Sequence, residues 1–155
     1  MAGTHITISA EGGDAIQRAL SRLLKRGQSL APALTDIGAM LELSHRERWG
    51  LAPDGTPWQP LSPTTQQLKP RHKENPLRLN DLLRDTLAYQ VQSDTLRFGS
   101  NLVYAALHQL GGTTSARSMI PGKTIPARPF LGLSPKDRDA STDILAHYLQ
   151  NALNP

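Results

Sequence analysis

The stretch AYQVQSDTLRFG, Ala88 to Gly99, decides the fold. Ala88–Gln92 and Thr95–Gly99 flank Ser93-Asp94, and two runs joined by two residues read as an antiparallel hairpin. A third strand is expected at the start of the chain. From His5 to Ser9, Ile6 and Ile8 fall on one face and Thr7 on the other, the alternation of a half-buried strand.

Helical periodicity surrounds these strands. Asp14 opens a helix with Gln17 three positions on, and Ile16, Ala19, Leu20, Leu23 and Leu24 form its apolar stripe, with Gly27 as the stop. A longer helix starts near Ser29 and Pro32, buries Leu34, Ile37 and Leu41, and runs through Arg48 to Trp49, where Gly50 ends it. A short helix is expected over Leu77–Leu87, another over Leu102–Leu110, and a last one from Ser134-Pro135 with Ile144, Leu145, Tyr148 and Leu149 inward. The sum is an α+β fold, a small mostly antiparallel sheet packed by two or three helices. At 155 residues one domain spanning 1–155 is expected, burying roughly 70% of its unfolded surface.

Two segments interrupt the pattern. Six of the twelve prolines lie between residues 50 and 76, where apolar periodicity vanishes. Asp54-Gly55 gives a turn, while Pro57, Pro60 and Pro63 hold the backbone extended without donating hydrogen bonds. An arm of this length is expected to be disordered or docked on something. The second segment is the Gly/Ser/Pro-rich stretch 111–124, read as a flexible loop. It is followed by IPARPFLGL, Ile125 to Leu133, where Pro126 and Pro129 confine the strand to an edge or to a neighbour.

Composition excludes several classes. There is no cysteine, so neither a disulfide framework nor a thiolate site can form. No apolar run approaches the roughly 20 residues of a membrane span, and the start MAGTHITIS lacks a signal-peptide core, so synthesis in the cytoplasm and no membrane partner are expected. The net charge of +4 is modest, but its distribution is uneven. No acidic residue stands between Asp94 and Asp137, an interval holding Arg97, Arg117, Lys123, Arg128 and Lys136.

Local signatures of catalysis are missing. The five histidines, at 5, 45, 72, 108 and 147, show no metal-ligand spacing. His45-Arg46-Glu47-Arg48 places adjacent side chains in different directions and reads as a solvated helix face. No GxSxG elbow, phosphate loop or dinucleotide fingerprint occurs. The expectation is a protein without enzymatic activity and without cofactor or metal, and a hydrolase built on His108 is the weaker alternative. Lys69, Arg71 and Lys73 form a short basic cluster that reads first as a solvated loop. With Arg117 and Lys123 it also supplies candidate DNA-facing groups, which would release counterions on phosphate. Phe130 and Leu131 read as core, whereas Arg128, fixed between two prolines, is a candidate partner for a carboxylate of an adjacent subunit or for DNA phosphates.

Taken in order, several pieces resemble the virion morphogenesis, or tail completion, proteins of Mu-like and related tailed phages. They are Arg48-Trp49, PDGTPWQPLSPT from Pro53 to Thr64, LLRDT from Leu82 to Thr86, YAALHQLGG from Tyr104 to Gly112, and IPARPFLGLS from Ile125 to Ser134. The resemblance covers most of the chain and departs at Leu79-Asn80-Asp81, where members often show a Thr-Gly pair. It implies a structural protein of the virion, needed to finish a tail so that it can join a DNA-filled head. A ring of identical copies at the head-proximal end of the tail or in the neck is then expected. Sixfold symmetry would match a tail tube, and tail terminator, tube or connector proteins would be partners. On that reading the two proline-rich segments lie over adjacent copies, with Trp49, Trp58, Pro60, Tyr104, His108, Gln109, Pro126, Arg128 and Pro129 as candidate contacts. In such a ring the acid-free segment after Asp94 would line a lumen, where fixed cations attract passing DNA without reading its sequence. The leading alternative is a sequence-independent DNA-binding protein, to which the basic cluster and the high pI point.

Overall fold

The computed structural model describes residues 3–9, 14–26 and 28–153. Its element order is β1 (Thr4–Ser9), α1 (Asp14–Lys25), α2 (Ala31–Glu47), α3 (Pro63–Leu68), α4 (Leu82–Asp85), β2 (Ala88–Gln92), β3 (Thr95–Ser100), α5 (Ala105–Leu110), β4 (Gly112–Thr113), β5 (Thr124–Ile125) and α6 (Pro135–Leu153). The fold is α+β, as the alternation of periods implied.

The main sheet has the order β1-β3-β2 and is antiparallel throughout. Ser93, at φ 55°, turns the β2–β3 hairpin. In register, Phe98 pairs with Ile6 on one side and Tyr89 on the other, and Leu96 pairs with Val91. Leu96 and Phe98 are therefore two apart on one face, and both are fully buried, while Arg97 between them is exposed. Side-chain alternation with period two converts that sequence pattern into one inward face.

Helix α2 lies across this face, α6 packs on α2, and α1 packs on α6. Gly38 is the reason α2 can come so close. A Cβ there would overlap the Tyr89 ring, so any other residue would push helix and sheet apart. Ala33, Leu34, Ile37 and Leu41 of α2 are buried with Leu23 of α1 and Leu149 of α6. The Gly27 stop expected for α1 lies outside the described residues.

Four local expectations fail, one of them the start of α5, which lies at Ala105 and not at Leu102. Helix α2 ends at Glu47, two residues short of Trp49. The run 77–87 is helical only over Leu82–Asp85, because Leu77 (φ 57°) and Asp81 (φ 55°) are left-handed and no helix can pass through them. Asp81 is held there by a bidentate bond from Arg78, Nε to Oδ1 at 2.7 Å and Nη2 to Oδ2 at 2.9 Å. A glycine would take that conformation without strain, so the Asn80-Asp81 departure keeps a turn suited to Thr-Gly. Fourth, the loop 111–124 is a finger whose ends pair, Gly112 with Ile125 and Thr113 with Thr124. Ile125 to Leu133 belongs to a ladder only at its first residue.

The arm is neither free nor wholly irregular. Residues 51–57 close on themselves through a bridge from Leu51 to Pro57, with Asp54 accepting from the Thr56 amide at 2.9 Å. Ser62 then caps α3, with Pro63 in its first turn. Between these pieces Trp58 turns inward and is buried. Where the arm crosses the body, Gly132 sits at φ 147°, and a Cβ there would meet Pro53 at 2.5 Å.

Candidate functional site

Two arginines join irregular backbone to the helices, and they do it differently. Arg48 stands at the C-terminal end of α2, one turn beyond Ser44, where positions 41, 44, 45 and 48 share one side. Its Nη1 reaches Asp137 Oδ2 at 2.5 Å, and Nη2 donates to Gly132 O at 2.5 Å and to His45 Nε2 at 2.7 Å. Since Nε2 accepts, the His45 proton is on Nδ1, which donates to Leu41 O at 2.7 Å. Asp137, 1% exposed, also accepts from the Ser44 hydroxyl and from the Ser134 amide at 2.9 Å. Its own amide donates to Ser134 Oγ at 3.1 Å, a reciprocal cap at the start of α6.

This overturns the solvated reading for His45, which is fully buried, and for Arg48, which is half-buried in the cluster, while Arg46 and Glu47 are exposed as read. Burial, and then the Arg48 cation, pull its pKa down to about 4. Burial works to raise the Asp137 carboxyl, but hydrogen bonds from Ser44 and Ser134 with the Arg48 charge hold it below the usual carboxylate value. The cluster is largely shielded from solvent and serves as a fastening between α2, α6 and the 132 turn.

The second arginine lies under a cleft of about 710 Å³, within the range of ligand sites. The arm residues 59–62, the 77–83 turn, α5 and the finger wall it. Arg128 is 6% exposed, and its Nε donates to Gln59 O at 3.0 Å and its Nη2 to Pro60 O at 3.3 Å. Its amide donates to His108 O at 2.8 Å. Beside it, Gln109 Oε1 accepts the amides of Phe130 and Leu131 at 3.0 and 2.9 Å, and its Nε2 donates to Leu131 O at 3.1 Å. Trp58 Nε1 donates to Pro129 O at 2.8 Å. Trp49 is half-buried against Trp58 and Phe130, at ring centroid distances of 5.3 and 5.7 Å.

The candidate contact residues are thus brought together, but largely with one another. Trp58 and Arg128 are inside, and the hydrogen bonds they make tie the arm to its own body. The reason is that the prolines leave the arm carbonyls unpaired, and Arg128 and the Trp58 indole meet carbonyls from both sides of the seam. Phe130 and Leu131 are core, as read. Pro60 and Tyr104 stay exposed on the cleft wall, with His108 and Pro126 half-buried there.

Arg128 has no carboxylate partner among the described residues, and its Nη1 makes no hydrogen bond among them. Burial lowers its pKa and, with the Arg128 charge, that of His108. His108 Nδ1 is buried without a partner, and no described side chain bonds to the ring, so no nucleophile and base pair is assembled there. Lys69 also lines the cleft. Its Nζ donates to His72 O at 2.8 Å and to Asn75 O at 2.6 Å, so it is a turn fastener and not a free loop cation. Arg71 and Lys73 are exposed near the end of the arm, and Arg117 and Lys123 are exposed on the finger. Four exposed apolar side chains, Leu79, Leu82, Tyr104 and Ile120, line the cleft.

Among the described residues no group of carboxylates and histidines could hold a metal ion, and no helix is long and apolar enough to cross a membrane. Residues 12–150 match the model of the phage virion morphogenesis family. The chain is also similar to the Mu-like prophage FluMu G protein 2 of Haemophilus influenzae, with 27% identity over 145 residues, 94% of this chain and 96% of that protein. No solved structure matches it.

Proposed function

Because the chain belongs to the phage virion morphogenesis family, we propose that it is the structural protein that completes the tail and lets it join the head. In this reading copies form a ring at the head-proximal end of the tail or in the neck. Tail terminator, tube or connector proteins are its neighbours.

The observation that carries the reading is the apolar cleft rim of Leu79, Leu82, Tyr104 and Ile120. Apolar side chains gathered around one concave site are the mark of a surface that another chain covers. Of the ionisable groups nearby, Lys69 and Arg128 hold backbone carbonyls and Arg78 grips Asp81, which suits assembly better than turnover. A phage lacking this chain is expected to accumulate DNA-filled heads and separate tails under the electron microscope. Normal joined particles from that phage would overturn the proposal.

A sequence-independent DNA-binding protein is a second reading, favoured by the exposed cations Arg71, Lys73, Arg117 and Lys123. Lys69 does not belong in its test, because removing it also releases the 72–75 turn. Arg71→Ala with Lys73→Ala is the cleaner pair. Loss of duplex binding with assembly untouched would favour DNA as the partner.

A further inference from the structure

We propose that the cleft over Arg128 is the docking site for an extended segment of a different virion protein, one carrying a carboxylate side chain between apolar residues. This partner chemistry rests on the assembly role above.

Charge decides the first half. The cleft holds three cations, Lys69, Arg78 and Arg128, against one carboxylate, Asp81, and Asp81 is already gripped by Arg78. Arg128 is 6% exposed and has only two carbonyl oxygens as acceptors. A guanidinium so far out of water keeps a strong demand for an anion, and its open Nη1 edge suits a carboxylate. The half-buried His108 ring beside it is another polar group without a partner.

The walls decide the second half. Leu79, Leu82 and Ile120 are about half exposed, so a free small anion would leave them wet. A peptide whose acid is flanked by apolar side chains covers them and meets Arg128 together. Duplex DNA fits less well, because its phosphates would have to enter an apolar mouth. The exposed cations Arg71, Lys73, Arg117 and Lys123 do not line the cleft.

A second copy does not supply the segment. The acidic residues of this chain that no helix holds are Asp54, Glu74, Asp81 and Asp94, with Glu11 outside the described residues, and none of the five has a large apolar residue on both sides. The occupant is therefore a different protein.

The full chain can be probed with an array of short overlapping peptides covering the other proteins of its own phage particle. Retained peptides are expected to share a carboxylate between apolar residues. In solution, by fluorescence anisotropy, changing that acid to its amide should weaken binding at least about 30-fold, and Arg128→Gln should do the same. Ile120→Glu, on the exposed finger, should abolish binding without touching the core. If Arg128→Gln loosens the arm, seen as a change in Trp58 fluorescence, Ile120→Glu decides alone, and unchanged binding there sinks the proposal. So would an array that retains nothing, or a chain that takes up only duplex DNA. Failure of the array together with unjoined tails in the deleted phage removes the docking site and leaves the assembly role standing.

Discussion

Arg48 and Arg128 each stitch loop to helix, yet one is closed and the other is open. Arg48 meets a carboxylate, an imidazole and a carbonyl, and only its buried Nε lacks an acceptor. Arg128 meets two carbonyls and keeps an uncompensated charge beneath an apolar mouth. A buried ion with its counterion inside the chain builds the fold, whereas one without it marks where the fold is unfinished until something binds.

The largest effect should come from breaking the closed site. Asp137→Asn leaves Arg48 buried without its counterion, and a loss of about 3–5 kcal/mol is expected in urea denaturation. A loss under about 1 kcal/mol would erase the contrast between the two arginines.

Acid should sharpen the same contrast. His45 is neutral when folded down to about pH 4, while unfolded it takes a proton near 6.5. Between those values the unfolded chain binds more protons, so stability is full above the window and falls as pH drops through it, by about 3 kcal/mol. Asp137 adds its own loss only below 3.8, under that window. His45→Gln should flatten the slope of stability against pH between 4 and 6.5, and an unchanged slope would mean another group is titrating.

At the open site the same operation should do little. Arg128→Gln gives up two hydrogen bonds to exposed residues whose carbonyls can turn to water, and it relieves a desolvated charge, so a change within about 1 kcal/mol is expected. Asp81→Gly should be smaller still, since easing the left-handed backbone offsets a surface ion pair worth about 0–1 kcal/mol. Thermal unfolding of the two variants checks both, and a collapse on Arg128→Gln would show that the arm hangs on that side chain.

Much of the frame was legible in the chain itself. The hairpin at 88–99, the first strand and the stripes of α1, α2 and α6 follow from periods of 2 and 3.6, which are local signals, except that Leu24, counted in the α1 stripe, is exposed. The stripe Leu34, Ile37, Leu41 also runs on to His45 and Arg48, but a polar residue in an apolar stripe looks like solvent face until its partner is known. Asp137 lies 89 residues from Arg48, and no local pattern announces it. Ser62-Pro63 was a legible helix start, hidden by reading the prolines as extended backbone. The positive φ of Leu77 carries no such signal, because leucine does not favour it. The site residues were gathered correctly as segments, yet their partners within the chain were set by tertiary packing.

An image reconstruction of the intact particle at the junction of head and tail tests the central claim most directly. Several copies of this chain are expected around the axis, with the cleft over Arg128 filled by a neighbouring protein's segment and a carboxylate against the guanidinium. Particles that contain no copy of the chain, or copies whose clefts all face open solvent, would contradict it.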